Sequence, residues 1–513
     1  MFAKVKSFGL IGLNGYKLDV EVDTSLGIPS FEIVGLPDAA IKEAKERVRY
    51  ALKNTDFSFP QNKVAVNLAP ANVKKVGANY DLPIAIGILI STKQIKAEKA
   101  NEYVFIGELG LDGTLRPVRG ILPMLISARE IGFNKFIIPS ANSNEASFIE
   151  GISVYACKNL QEVSAFLNGI LNLLPVESKT WESEKVDCTV ENFARVKGQK
   201  IAKRAMEIAV SGGHNILMVG PPGAGKTMIA KCIPSIMPNL TFEEALEITK
   251  IHSIAGELDL ERGVVSTRPF RSPHHTASTV SLTGGGKDAK PGEVSLAHNG
   301  VLFLDELPEY SRTTLETLRQ PLEDGDIVVS RASGSYEYPA NFMLVASMNP
   351  CPCGNFGCKG MTCTCTPYAI QNYLKRLSGP LLDRIDLKID IERVAFDEMT
   401  NVSNEESSEE VKVRVDKARE IQNNRFKGTN IHTNAKMTSK MINDYCKLDS
   451  ECEEIMKLAF DKYKISARGY TRILKVARTI ADMEGCDDVE LNHVQEAILY
   501  RKSFNNFMES CSE

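Results

Sequence analysis

The sequence predicts an α/β fold: a nucleotide-binding core of parallel strands, with an α+β unit ahead of it and a helical unit behind. Three observations predict this. The stretch Gly220-Pro-Pro-Gly-Ala-Gly-Lys-Thr227 satisfies G-x-x-x-x-G-K-[ST] at every fixed position, between an apolar run and a helical one. Two more apolar runs, 300–306 and 342–349, end in carboxylates or an amide, as strands do when their C-terminal ends face a ligand crevice. At 513 residues the chain outgrows a single core. We divide it into 1–172, a linker at 173–190, the core at 191–395 and the helical unit at 396–513.

Composition is ordinary for a globular protein, 43% hydrophobic and 25% charged. The net charge of −4 provides no global basic field, so any nucleic-acid binding must use a local surface. No run of about 18 apolar residues occurs, which argues against a membrane span. Met1-Phe-Ala-Lys-Val-Lys6 lacks the apolar heart of a signal peptide, and a cytoplasmic location is expected.

In the first unit, Tyr16 to Asp23 alternates like a strand with one buried face, and Phe31 to Val34 is another short strand. Ala39 to Leu52 has apolar positions at helical spacing with Lys, Arg and Glu outward. Lys63 to Leu68 reads as a strand and Leu82 to Thr92 as an apolar helix. Tyr103 to Gly107, Ile121 to Ile131 and Lys135 to Pro139 complete an α+β layer. The pieces Gly77-Ala-Asn-Tyr-Asp-Leu-Pro83, Gly107-Glu-Leu-Gly-Leu-Asp-Gly113 and Pro117-Val-Arg-Gly120 resemble the Lon-protease-type domain. Proteolysis there needs a Ser nucleophile and a Lys base. Asn79 and Met124 stand at those positions, and an amide and a thioether cannot do that chemistry, so a catalytically inactive platform is implied. Arg116, Arg119, Lys74 and Lys75 are either solvated surface charge, the better reading, or nucleic-acid contacts. Residues 175–190 are polar without an apolar period and read as a linker.

The core opens at Gly198-Gln199 and a helix over Ala202 to Val210, either packed beside an adenine or plain core. Asn215 to Val219 reads as a buried strand leading into the loop of Gly220, Pro221, Pro222, Gly223, Ala224 and Gly225. Gly223 and Gly225 tolerate φ > 0 and let backbone N–H groups turn inward around an anion. The following helix N-terminus adds partial positive charge there. Lys226 suits β and γ phosphates, and Thr227 offers a hydroxyl to Mg²⁺, so ATP and Mg²⁺ are the expected cofactors. Asp305 is expected to hold the Mg²⁺ and Glu306 to orient or deprotonate the attacking water. Asn349 can hydrogen-bond the γ phosphate or that water, or cap the next turn. Arg384, in Ser378-Gly-Pro-Leu-Leu-Asp-Arg-Ile-Asp386, is either locally ion-paired or a finger to a neighbouring subunit's phosphate, and spacing leaves both open.

Together with Arg268-Pro-Phe-Arg-Ser-Pro-His-His-Thr-Ala-Ser278 and Asn349-Pro-Cys-Pro-Cys-Gly354, these stretches resemble the ComM/YifB-type branch of the magnesium-chelatase-like AAA+ ATPases, over nearly the whole chain. The resemblance implies a P-loop NTPase core with a helical lid, a homo-oligomeric ring that is usually a hexamer, and Arg384 acting in trans. It implies DNA translocation, helicase activity or branch migration during recombination and uptake of foreign DNA. Two insertions, about 278–293 and a hairpin from Asp326 to Pro339, also resemble those of replicative MCM helicases, which touch DNA in the ring channel. Lys287, Lys290 and Arg331 are then the candidate phosphate contacts, sequence-independent and salt-sensitive, with plain solvation the alternative. His274, His275 and His298 are expected to make structural hydrogen bonds rather than bind metal.

Of twelve cysteines, five fall between Cys351 and Cys365, which in a chain without a leader suggests metal rather than disulfides. Short paired spacings suit one tetrahedral zinc knuckle. The resembling family carries the flanking C-x-C pairs, which implies Cys351, Cys353, Cys363 and Cys365 as ligands and Cys358 as spare or alternative. A metal-free or redox-labile loop is the other reading. Any metal is expected to be structural and remote from phosphate chemistry.

In the last unit, Asn401 to Glu410 is acidic and reads as a linker or insertion. Val411 to Arg425 and Met437 to Cys446 read as amphipathic helices. Ser466 caps a further helix in which Arg468 and Arg472 share a face. The family pattern favours Arg468 as a second phosphate sensor, with Arg472 the alternative. Val489 to Tyr500 reads as the last helix. The rival functions are a chelatase-type motor subunit, an ATP-dependent protease, disfavoured by Asn79 and Met124, and a protein-remodelling ATPase without a DNA substrate.

Overall fold

A computed structural model describes residues 1–182, 192–286, 289–331, 334–358, 360–394 and 405–510. The first unit is built on a seven-stranded sheet in the order Ser30–Val34, Lys63–Ala69, Asn14–Ser25, Phe2–Ile11, Val104–Phe105, Lys135–Pro139, Ser153–Cys157. The alternation at Tyr16 to Asp23 sends Leu18, Val20 and Val22 inward, all fully buried. Phe2–Ile11 pairs antiparallel with that strand along its whole length and is the central strand of the seven. Helix Asp81–Ser91, apolar all round, is buried at every position and shares a core with Ala39–Asn54. Helix Ile121–Glu130 packs with Phe8 and Ile138 in a second core. Lys75, read as surface charge or a nucleic-acid contact, is instead fully buried, with its ammonium donating to Pro70 O.

The second sheet has five strands in the order Phe270–Arg271, Val301–Leu304, Met343–Met348, Ile216–Val219, Leu387–Asp390. Every pairing is parallel, which is why the strands are continuous apolar runs rather than alternating ones. The two outer strands are too short or too mixed in polarity to stand out in the sequence. The register sets Val219 beside Met348 and Asp390, so the segments after these strands leave from one edge of the sheet.

Helices Ser408–Arg425, Ser439–Tyr445, Ser450–Tyr463, Ala467–Glu484 and Leu491–Ser510 follow. The first begins three residues before Val411, because Ser407 and Glu410 form a reciprocal capping box. Ser408 to Glu410 are therefore helical rather than linker, and residues 401–404 lie outside the described residues. Val415, Cys452 and Ile480 share one core with Ile216 and Ile233 of the sheet unit.

The presumptive linker is ordered where described. Val176 N–H donates to Val154 O at 2.7 Å, and the Trp181 ring lies 5.8 Å from Phe242. Residues 183–190 lie outside the described residues. The two units also meet where Gly120 N–H donates to Ser253 Oγ at 3.0 Å. No helix among the described residues is long and apolar enough to cross a membrane.

Candidate active site

The phosphate-binding pattern sits at the sheet edge its spacing requires. Strand Ile216–Val219 ends at Gly220, and helix Lys226–Ile236 starts after the loop. Gly220 has no room for a side chain, since a Cβ there would lie 2.4 Å from Ile391 O. Gly223 and Gly225 adopt φ of +75° and +87°, and a Cβ at either would meet nothing within 4 Å. The helix start carries no side-chain cap. Two left-handed glycines with open space beside them at an uncapped helix start fit an anion.

Four other groups converge on this loop. Lys226 Nζ donates to Gly220 O at 2.7 Å, Pro221 O at 2.9 Å and Asn349 Oδ1 at 3.1 Å. Burial pulls its pKa below the usual lysine range, with Asp305 opposing. Thr227 Oγ1 donates to Asp305 Oδ2 at 2.9 Å, and Ser347 Oγ donates to Asp305 Oδ1. The Thr227 hydroxyl and Asp305 carboxylate form an oxygen pair suited to Mg²⁺. Glu306 follows in the left-handed region at φ 52°, a costly conformation for a residue with a Cβ. Its N–H donates to Asp305 Oδ1 at 3.0 Å, while its side chain is half exposed. These residues fit a magnesium nucleoside triphosphate.

Arg384, Arg468 and Arg472 are not brought to that loop. Leu387 pairs with Ile216, the first residue of strand Ile216–Val219, so the segment preceding Leu387 lies at the sheet edge opposite Gly220. Asn215 Nδ2 donates to Arg384 O at 3.1 Å and ties it there. Arg384 is buried; it donates to Pro380 O and pairs with Glu323, and its Nε has no hydrogen-bond partner among the described residues. Arg468 reaches the same Glu323 at 3.8 Å from exposed surface. Arg384 first, with Arg468 and Arg472, holds the Glu323 carboxyl below its usual range. Arg472 pairs with Asp386. Burial alone would raise the Asp386 carboxyl, but Arg472, His214 and the Asn215 N–H hold it well below the carboxylate range.

Comparison with known proteins decides the family. A model described as "Magnesium chelatase, subunit ChlI" matches residues 192–399, one for "Subunit ChlI of Mg-chelatase" matches 20–142, and one for its C-terminal part matches 405–501. The "Competence protein ComM" of Haemophilus influenzae is 42% identical over 504 residues, covering 97% of each chain. The "Uncharacterized protein YifB" of Escherichia coli is 43% identical over 493 residues, 96% of this chain and 95% of that one. The chain belongs to the ComM/YifB magnesium-chelatase-like family. A "Magnesium-chelatase 67 kDa subunit" of Chlorobaculum tepidum is 29% identical over 164 residues, 31% of this chain and 23% of that one.

This ComM/YifB-type chain adds residues that its sequence did not announce. His275, expected to make structural hydrogen bonds rather than bind metal, has its Nδ1 3.4 Å from Glu306 Oε2, beside the candidate base. Its signal was its position after a short strand that pairs with Val301–Leu304. His298 does make structural bonds, to Glu247 at 3.2 Å and to the Asn341 N–H at 3.1 Å. Ser347 was missed as well, although a serine inside an apolar strand signals a polar partner.

The two insertions meet. The 278–293 insertion folds into helix Thr279–Thr283 and a short ladder of Gly284–Gly285 with Lys290–Pro291. Tyr338 Oη, in the second hairpin, donates to Ala289 O at 2.8 Å. Arg331 closes the strand Asp326–Arg331 opposite Gly334, at the turn of that hairpin. Lys287 lies outside the described residues.

The sulfurs of Cys351, Cys353, Cys363 and Cys365 all lie within 4.8 Å of one another, a group that could hold a metal ion. The loop that carries them lies against the phosphate loop, since Gly354 packs directly on the Pro222 ring.

Proposed function

We propose that this chain is an ATP-hydrolysing AAA+ motor that assembles into a ring, as a hexamer, and acts on DNA. The observation that carries it is the convergence of Lys226, Thr227, Asp305 and Asn349 on one loop at one edge of a parallel sheet. Mg²⁺-ATP, when bound, supplies the transferable phosphoryl group and the cation that neutralises it. Lys226 and the loop N–H groups bind its phosphates, and Thr227 and Asp305 hold the metal. Glu306 orients a water and accepts its proton, and Asn349 fixes the position of Lys226. Arg384 and Arg468 share one carboxylate on the opposite edge, which supports both serving the nucleotide of a neighbouring copy.

The DNA reading is supported by the name of the Haemophilus relative, a competence protein, and by the contact between the two insertions to which Lys287, Lys290 and Arg331 belong in sequence. Translocation with helicase or branch-migration activity, in recombination or transformation, is the form of that role we favour. The first unit serves as a non-proteolytic, Lon-like platform. Asn79 Nδ2 lies 3.9 Å from Met124 Sδ and 3.2 Å from Phe8 O, a buried amide and thioether with no nucleophile between them.

The test is turnover with and without single-stranded and branched DNA. Glu306→Gln is expected to lower turnover by about 100-fold or more while ATP binding persists. Lys287→Ala with Arg331→Ala is expected to abolish stimulation by DNA while sparing basal turnover. Parent-like hydrolysis by Glu306→Gln overturns the ATPase reading. A parent indifferent to every nucleic acid overturns the DNA reading in favour of a chelatase-type or protein-remodelling motor.

A further inference from the structure

Between Pro350 and Thr366 the described residues form no helix or strand, yet the loop holds four sulfurs close together. The Sγ separations are 3.3 Å for Cys351 and Cys353, 3.6 Å for Cys353 and Cys363, and 3.7 Å for Cys351 and Cys363. Zinc–thiolate bonds of about 2.3 Å at tetrahedral angles place sulfurs about 3.8 Å apart. Three of the thiols thus stand at about the separations of a single-ion tetrahedron, and the Cys365 sulfur lies within 4.8 Å of each. Bridging sulfide in a multi-iron cluster would spread them wider. Backbone donors already face the sulfurs: Phe356 N–H to Cys351 at 3.3 Å and Cys353 N–H to Cys365 at 3.4 Å. Bonds of this kind orient thiolate ligands. Cys358 turns away, with its Sγ 3.6 Å from Gly354 O.

The loop is attached to the nucleotide site at two points. Asn349, two residues before Cys351, accepts from Lys226 Nζ at 3.1 Å. Gly354, between Cys353 and Cys363, has φ +81°, and a Cβ there would lie 2.5 Å from Pro222 Cδ. The geometry points to a zinc site of Cys351, Cys353, Cys363 and Cys365 whose ion braces the phosphate loop, holding Asn349 on Lys226 and Gly354 on Pro222. The inference rests on the reading of 220–227 as an ATP site. The ion touches no phosphate. It closes an otherwise irregular loop, so that nucleotide affinity depends on metal occupancy.

The experiment uses the full-length protein expressed with added zinc. Elemental analysis is expected to find one zinc per chain, and Co²⁺ exchange to produce the visible bands of a tetrahedral thiolate site. Cys363→Ser with Cys365→Ser should lose the metal and bind a fluorescent ADP analogue about tenfold more weakly, while Cys358→Ser changes neither. Gly354→Ala should keep the zinc and still weaken ADP, which separates bracing from misfolding of the loop. A parent that carries no zinc and takes up no Co²⁺ overturns the site. Unchanged ADP affinity in both the zinc-free variant and Gly354→Ala overturns the bracing. A parent that holds zinc yet binds no nucleotide sinks the ATP reading, and the bracing with it, while the zinc site stands.

Discussion

Asp305 is held from two sides, by Thr227 Oγ1 at 2.9 Å and by the Ser347 hydroxyl. Thr227 belongs to the phosphate-loop pattern and was legible, because only a hydroxyl at that spacing serves a metal. Ser347 was not, because its importance depends on the pairing of Val301–Leu304 with Met343–Met348. Ser347→Ala is expected to leave Asp305 Oδ1 with the Glu306 N–H as its remaining donor and lower turnover by about tenfold, with a matching rise in the Mg²⁺ required. Equal Mg²⁺ dependence in parent and variant would refute that positioning. His275 is the other residue found only in space. At 3.4 Å it competes with water for Glu306, an interaction worth about 1 kcal/mol at an exposed site. His275→Ala should therefore raise basal ATP turnover by about fivefold without altering ATP affinity. A fall in turnover would count against this role.

At the scale of elements, the apolar runs 215–219, 300–304 and 342–348 were readable because both faces of a parallel strand are buried. Phe2–Ile11 and Leu387–Asp390 were not, since their membership depends on partners far away in the chain. The contact of helix Phe242–Ala255 with the first unit was equally hidden. There Glu145 accepts from Asn142 Nδ2 at 2.6 Å and from Ser253 Oγ at 3.1 Å. Burial lifts its carboxyl from 4.5 to about 7 against those bonds. A raised acid binds in the fold a proton that the unfolded chain releases. Its contribution is complete below 4.5 and is lost as the pH rises through about 7. The whole shift amounts to roughly 3 kcal/mol. Glu145→Gln should raise the apparent melting temperature by a few degrees at about pH 8 and flatten its decline from about pH 5. An unchanged pH profile would show that this contact does not titrate.

At the scale of the molecule, the sheet separates the phosphate loop from the candidate arginines. Gly220 to Thr227 and Asp305 occupy one edge, and Arg384 and Arg468 meet Glu323 beyond the other. On the proposed reading, such a chain would complete its nucleotide site with a second copy, edge to edge. Lys226→Ala and Arg384→Ala should each be inactive alone. Mixed before assembly, they should regain activity at about a quarter of the interfaces, where an intact loop meets an intact arginine. Mixtures as inactive as their components would mean that Arg384 serves its own chain.

The sequence by itself determined the phosphate loop, the strand-end carboxylates, the capping of the helix at Ser466, and the family. Each of these is local: a few residues whose types and spacing leave the backbone one good solution. Only the tertiary structure decided that Lys75 is buried, that His275 faces Glu306, that the cysteine loop lies on Pro222, and that Arg384 and Arg468 meet Glu323 rather than their own phosphate loop. Those facts follow from strand order and register, which are set by contacts between residues tens to hundreds of positions apart and leave no period in the chain to read.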